Sequence, residues 1–219
     1  MLLEKYMENK IIHGDCAEVL KEYPDKHFDL CITDFPYGIG ENYDEFDDSE
    51  ENLKLLIRLS MPEIQRVSKR ALITCGVANI HLYPKYDWCL IWYNKAGCGS
   101  GKWGFITWQP ILAYGKDPYL ENRLGRKHDS IENNESSPKD TGHPCPKPLQ
   151  FWKKLLVRGS VKKTDKILDP FAGSFTTAIA CEELGYTDYT CIELSEKYHA
   201  NGIKRIAEYK SQMDMFKPA

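Results

Sequence analysis

The stretch Lys166-Ile167-Leu168-Asp169-Pro170-Phe171-Ala172-Gly173-Ser174, continuing into Phe175-Thr176-Thr177, decides how this chain folds. A short apolar run ends in an acid and a proline, and a glycine turn follows. Residues Thr176 to Leu184 then read as a helix stopped by Gly185. Tyr189-Thr190-Cys191-Ile192 reads as a second buried strand, ending in Glu193. Strand, tight turn, helix and strand make a βαβ unit of the nucleotide-binding kind, whose terminal acid can accept hydrogen bonds from a ribose. The G-x-G-x-x-G pattern is missing, and Gly173 is the lone glycine of the loop. Without a run of glycines to approach a pyrophosphate, the loop suits a nucleoside with a short charged tail, such as S-adenosylmethionine, better than a dinucleotide. A βαβ unit with an ordinary turn is the plain alternative.

Working outward, the same alternation covers the chain. Strand-like runs lie at Lys10–His13, Phe28–Thr33, Ala71–Cys75, Trp88–Tyr93 and Ile106–Tyr114, where Pro110 points to an edge or a bulge. Helical patterns lie at 17–22, 53–67, 151–157 and 196–209; Asp47, Asp48 or Ser49 can cap the second of them. Alternating strands and helices predict an α/β fold with a doubly wound, mostly parallel sheet. With 219 residues, 42% hydrophobic and 28% charged, the chain is long enough to bury one core without disulfides or a metal. It reads as a single domain with a short inserted lobe at about 95–142, polar and basic from 115 onward. No apolar run reaches the length of a membrane span, and MLLEKYMENK lacks a secretory pattern. The expected location is the cytoplasm, with no membrane partner.

The eight cysteines contain no C-x-x-C pair, and several sit in apolar runs, so they read as buried thiols in a reducing compartment rather than metal ligands. No metal site is expected. Ala96-Gly97-Cys98-Gly99-Ser100-Gly101-Lys102-Trp103 imitates a phosphate loop, but Ala96 replaces its first glycine and Trp103 the magnesium-binding hydroxyl. It reads instead as a mobile loop near a target. Net charge is −3, yet residues 95–166 hold 14 basic and 7 acidic residues in an otherwise acidic chain. Such a basic middle faces a polyanion or is simply a solvated loop.

Thr33-Asp34-Phe35-Pro36-Tyr37 ends a buried strand in acid, proline and aromatic. Pro36 fixes its own φ and holds Phe35 extended, so the Asp34 carboxylate and a backbone carbonyl can sit side by side. Two such acceptors can grip both hydrogens of a planar amino group while Tyr37 stacks on the ring that bears it. Taken alone, the stretch is equally a turn with a structural aspartate.

It does not stand alone. D-F-P-Y at 34–37, H-P-C-P-K-P-L at 143–149 and D-P-F-A-G-S-F-T-T at 169–177 follow in that order. Together they closely resemble the amino-group DNA methyltransferases, which methylate adenine N6 or cytosine N4, in the permuted group whose catalytic loop precedes the cofactor loop. The resemblance spans about residues 10–205. It implies a seven-stranded Rossmann-like sheet with one antiparallel strand. It places Asp34 and the Phe35 carbonyl on the target amine, Pro36 between them and Tyr37 on the flipped base. Asp15 and Cys16 would lie by the adenine of S-adenosylmethionine, and Glu193 on its ribose. Asp169, Phe171, Gly173 and Ser174 would line the methionine side, closed over by His143 and Lys147, with Lys147 pairing the cofactor carboxylate. Phe35 stands where the family usually has Pro, and Phe175 where it often has Gly; both read as tolerated variants.

The chemistry follows. An exocyclic amine is a poor nucleophile because its lone pair is delocalised into the ring, and two acceptors on its hydrogens expose that pair. The base must leave the duplex stack to be reached. The expected partner is therefore double-stranded DNA, held by Lys102, Lys116, Arg123, Arg126 and Lys127, with Arg123 and Arg126 reading guanine. So short a lobe is expected to need a second subunit, as a homodimer, or a short recognition sequence. The acid that opens the tetrapeptide favours adenine over cytosine; a DNA-binding module with an impaired site is a further alternative.

Overall fold

Leu30, Ile32 and Cys31 alternate in direction, and both directions are apolar. A strand of that kind is stable only between two helical layers. The computed structural model, which describes residues 10–139 and 141–215, provides them. Residues 1–9, read above as lacking a leader, lie outside the described residues. Strand β2 (Leu30–Asp34) is the centre: Leu30 and Ile32 join the core formed with Phe151, Trp152 and Leu155, whereas Cys31 joins that of Leu53, Ile57 and Met61.

In chain order the elements are β1 (Lys10–His13), α1 (Cys16–Val19), β2, α2 (Glu50–Val67), β3 (Ala71–Thr74), β4 (Trp88–Tyr93), β5 (Ser100–Gly101), β6 (Gly104–Phe105), β7 (Trp108–Tyr114), α3 (Pro118–Glu121), β8 (Ser130–Glu132), α4 (Leu149–Gly159), β9 (Ile167–Asp169), α5 (Thr176–Leu184), β10 (Tyr189–Glu193) and α6 (Glu196–Met215). The main sheet runs β1-β10-β9-β2-β3-β7-β4-β8. All its pairings are parallel except those that β7 makes with β3 and β4. The α/β, mostly parallel class is as expected, with eight strands rather than seven. The eighth, β8, carries one buried residue, Ile131, between exposed Ser130 and Glu132, which is too short a pattern to stand out in sequence. Pro110 lies inside the sheet, not at its edge. Its carbonyl accepts the Cys75 N–H at 3.4 Å just past the end of β3, so its missing donor falls where that ladder is already finishing.

Ser49 caps α2 by accepting the Asn52 N–H. Gly185 ends α5 in the left-handed conformation at φ 74°. The less ordinary terminus is at the start of α5, where Phe175 itself is left-handed, at φ 58°. Its ring does not enter the cofactor side of the loop. It is fully buried and lies directly on α6 at Gly202, where an added Cβ would come 1.9 Å from the ring. Arg205 of the same helix donates to the Ser174 carbonyl at 2.6 Å, tying down the strained turn. Phe175 therefore anchors the loop from behind.

Gly202→Ala is expected to cost about 1–3 kcal/mol in urea unfolding, by overpacking. Most of that cost should vanish when Phe175→Ala is already present, because the colliding ring is gone.

Candidate active site

The chain leaves β9 toward β10 and leaves β2 toward β3, yet β9 and β2 are neighbours. Their following loops diverge and leave a crevice at the carboxyl edge, where open α/β sheets bind ligands. The loop after β2 carries Asp34-Phe35-Pro36-Tyr37, and the loop after β9 carries Pro170 to Phe175. A single cavity of about 410 Å³ joins them, a size suited to a small-molecule ligand. Asp34 and Pro36 line one part of it. Asp15, Cys16, His143, Lys147, Asp169, Phe171, Gly173, Ser174 and Glu193 line the rest. The two pockets therefore open into each other.

Asp169 is the hinge of this arrangement. It is buried, and it accepts hydrogen bonds from Thr33 Oγ1 at 2.6 Å, from the Phe171 N–H at 3.1 Å and from Thr177 Oγ1. Burial outweighs these donors and pushes its carboxyl up to about 6. The residue expected on the methionine side thus also ties the cofactor loop to the strand that carries Asp34. Glu193 does likewise at β10: one carboxylate oxygen accepts the Gly173 N–H at 2.7 Å and the other the Ser195 N–H at 2.9 Å. Burial raises its carboxyl too. Each oxygen keeps a lone pair for a ribose hydroxyl.

Asp34 accepts from Thr74 Oγ1 at 2.5 Å through one oxygen, with the Tyr37 hydroxyl 3.1 Å from the same oxygen. The other oxygen pairs with Lys147. The Lys147 ammonium also lies 5.0 Å from the centre of the Tyr37 ring. In this structure it stands on Asp34, not at a position reserved for a cofactor carboxylate. It occupies one carboxylate oxygen of Asp34 and one face of the Tyr37 ring. Tyr37 is held on its far side by Gln109, 2.8 Å from its hydroxyl. Burial and the Asp34 charge push that phenol up, so it stays protonated. The Phe35 ring is buried between Phe171, at 4.5 Å between centroids, and Tyr83, at 5.5 Å. Phe in place of Pro thus braces the loop through packing, with its side chain outside the cavity.

The cofactor side is lidded. His143 crosses Gly173 so closely that a Cβ there would meet its Nε2 at 2.9 Å. Burial lowers this histidine to about 4, so it is neutral at pH 7. Its Nδ1 accepts the Cys145 N–H at 3.2 Å, which puts the proton on Nε2, facing the loop. Tyr43 lies against His143 from the acidic loop after the catalytic tetrapeptide. That loop is built around Asp48, whose buried carboxylate takes the N–H groups of Gly38, Ile39 and Glu41. Asp44 of the same loop accepts from Ser195 Oγ at 2.8 Å and closes it over β10. At the opposite end, Asp15 caps α1 through the Ala17 N–H at 2.8 Å, and burial raises the Cys16 thiol. A concave, largely apolar cavity with a carboxylate at β10 and exposed backbone at Gly173 fits the nucleoside, ribose and amino-acid parts of S-adenosylmethionine.

Thr33, Thr74, Gln109 and Tyr43 were not singled out in the sequence, and Asp48 was read only as a possible helix cap. Tyr43 and Asp48 lie in the acidic, Gly/Asn-bearing stretch 39–48, which reads as a plain loop.

The basic residues are not gathered in one lobe. Strand β7 runs antiparallel through the sheet, so Trp108 stands at the carboxyl edge and Tyr114 at the amino edge, about 20 Å away. Lys116, Arg123, Arg126 and Lys127 follow Tyr114 and lie exposed at the amino edge, away from Asp34. They are held there by contacts to the end of α4: the Tyr119 hydroxyl donates to the Val157 carbonyl and Asp117 pairs with Arg158. Lys102 alone of the five follows β4 at the carboxyl edge, on the β5–β6 hairpin.

A mostly parallel sheet with one reversed strand, and one cavity joining Glu193 to the loop that carries Asp34, are compatible with a methyltransferase that uses a nucleoside cofactor. A family model described as DNA methylase matches residues 98–205. DNA adenine methyltransferase YhdJ of Escherichia coli is 26% identical over 90% of this chain and 82% of its own. The type II methyltransferase M.HinfI of Haemophilus influenzae is 27% identical over 92% and 69%. Among solved structures, M1.HpyAVI with S-adenosylmethionine superposes at TM-score 0.66 and 21% identity, covering 90% of this chain and 98% of that one. The cytosine-N4-specific PvuII DNA methyltransferase gives 0.69 at 13%, covering 95% and 93%. The family model and these relatives support the family of S-adenosylmethionine-dependent DNA methyltransferases that act on amino groups.

The Asp169 linkage has a definite sign. A carboxyl raised when folded stabilises the fold fully below its unfolded value near 4 and loses that contribution as pH rises through about 6. Asp169→Asn is expected to remove this loss. Its thermal midpoint, measured against that of the unsubstituted protein, should gain between pH 4 and pH 7; a constant difference would contradict the buried, raised carboxyl.

Proposed function

We propose that the protein methylates adenine N6 in double-stranded DNA, with Asp34 and the Phe35 carbonyl as the acceptors of the amine hydrogens. The observation that carries this is the continuity of the cavity from Asp34 to Gly173 and Glu193. Adenine rather than cytosine N4 is supported by the aspartate that opens the tetrapeptide and by the relative that is named an adenine methyltransferase.

S-adenosylmethionine supplies an electrophilic methyl group on its sulfonium. The chain supplies everything else. Glu193, Asp15 and the backbone at Gly173 orient the nucleoside, and His143 Nε2–H faces the amino-acid end. Lys147 turns from Asp34 toward that end as the base arrives, freeing one carboxylate oxygen. That oxygen and the Phe35 carbonyl draw the two amine hydrogens into their plane, which localises the nitrogen lone pair and points it at the cofactor side. Tyr37 stacks on the base, fixed by Gln109. Once the nitrogen carries its new bond, its extra proton passes to Asp34. Thr74 and Tyr37 keep the acid in one orientation throughout. No cysteine takes part: burial keeps the thiols protonated at Cys16, Cys31, Cys75, Cys181 and Cys191.

DNA approaching this edge meets Lys102 but not Arg123 or Arg126. Replacing those two arginines with alanine is therefore expected to change duplex affinity less than about threefold, whereas Lys102→Ala should weaken binding and lower its salt slope by about one. A filter-binding series over salt concentration separates the two, and a large loss from the arginine pair would return them to the DNA face.

DNA from cells expressing the protein, digested to nucleosides, should contain N6-methyladenine. Asp34→Ala should abolish it, with kcat lower by at least about 10²-fold, while calorimetric binding of S-adenosylmethionine persists. N4-methylcytosine in the digest would contradict the adenine assignment.

A further inference from the structure

Between β4 and β7 the chain leaves the carboxyl edge as a narrow hairpin. Its stem is fixed by backbone bonds, Asn94 N–H to the Thr107 carbonyl at 2.8 Å, Cys98 N–H to Ile106 at 2.6 Å and Ile106 N–H to Gly99 at 2.9 Å. Above it β5 pairs with β6, Ser100 opposite Phe105 and Gly101 opposite Gly104, leaving Lys102 and Trp103 at the tip. Two-residue turns favour Asn-Gly or Gly-X, so a tryptophan there serves no local need. Trp103 is fully exposed, at 103% of the reference value, and Phe105 is 87% exposed; no other large hydrophobic side chain among the described residues stands so far out of the protein.

The stem stands beside the site. Trp108, at its foot, pairs with Tyr93, and the next residue, Gln109, meets the Tyr37 hydroxyl at 2.8 Å. Four extended residue steps from Cys98 to Lys102 carry the tip about 13 Å beyond Cys98. The DNA major groove admits a two-stranded ribbon and is about 8.5 Å deep, so a tip of this length reaches the base stack. Lys95 and Lys102 are exposed on the stem and tip, on the phosphate side of such an approach.

We propose that Trp103 is a wedge: as the target base turns into the cavity, the indole enters the stack in its place. This rests on the reading of the protein as a duplex DNA methyltransferase. A base drawn out of a duplex leaves its neighbours unstacked, and an aromatic side chain restores that stacking without regard to sequence. Sequence independence suits tryptophan at the tip, where no hydrogen-bonding partner is needed. The wedge holds the extrahelical state open and so acts on positioning, not on the chemistry at the amine.

The test uses two duplexes built on the site mapped by modified-base sequencing. One is fully paired; in the other the target adenine faces an abasic position and is already weakly held. Trp103→Ala should lower the methylation rate on the paired duplex about tenfold or more, leave the abasic-opposed duplex within about twofold, and leave S-adenosylmethionine binding and circular dichroism unchanged. Trp103→Phe should recover part of the loss. With 2-aminopurine at the target position and no cofactor present, the fluorescence rise on binding should shrink in Trp103→Ala. Equal losses on both duplexes, no loss on either, or a loss that tracks dissociation of a dimer in sedimentation would overturn the wedge. An unsubstituted protein silent on both duplexes overturns the functional reading, and the wedge with it.

Discussion

The bond from Thr33 Oγ1 to Asp169 Oδ1 spans two strands that are adjacent in the sheet and 136 residues apart in the chain. It is the constraint on which the site depends. Without it the loop that carries Asp34 would be fixed to β2 and the loop that carries Gly173 to β9, each with its own freedom. With it, a shift of one loop moves the other. In-line transfer tolerates little displacement between nucleophile and methyl group, so joint positioning is worth more than the one or two kcal/mol of a buried hydrogen bond. Glu193 repeats the device on the other flank by gripping the Gly173 N–H, and Arg205 with Phe175 repeats it from behind. The cofactor loop is therefore held from β2, from β10 and from α6.

These supports explain how two departures from the family pattern are absorbed. A large residue at position 175 is compatible with the loop because its ring turns to α6, where Gly202 leaves space for it. A phenylalanine at 35 replaces the stiffness of proline with packing against Phe171 and Tyr83. Both rings are buried on the side of the backbone away from the cavity. Phe171 belongs to the cofactor loop, so the Phe35–Phe171 contact is a further bridge between the two halves of the site.

Much of this was legible in the sequence because each signal was local. Asp34, Gly173 and Glu193 each end or follow a short apolar run, and a buried strand followed by a polar turn at the carboxyl edge places its residues without knowledge of the rest. What was not legible depended on direction and distance. The basic stretch from 95 to 142 looked like one surface, but β7 passes through the sheet between its halves and carries Lys116, Arg123, Arg126 and Lys127 to the far edge. A linear charge count has no means of registering a reversed strand. The ring direction at Phe175 follows from a left-handed φ that the residue type argues against. The Lys147–Asp34 pair joins residues whose separation is set wholly by tertiary packing. Strand β8 is visible only once β4 is there to pair with it.

Lys147 pairs with Asp34 in this structure, and the proposed mechanism requires it to leave that carboxylate before an amine can be held there. The most direct check on the joined-site account is a crystal structure of the protein with S-adenosylmethionine. The predicted result is a methyl carbon about 5 Å from the Asp34 oxygen, two contacts of about 3 Å meeting at a near-tetrahedral angle at the one nitrogen between them, with the Lys147 ammonium off the aspartate. A methyl group pointing away from Asp34, or a wall of side chains between them, would contradict it.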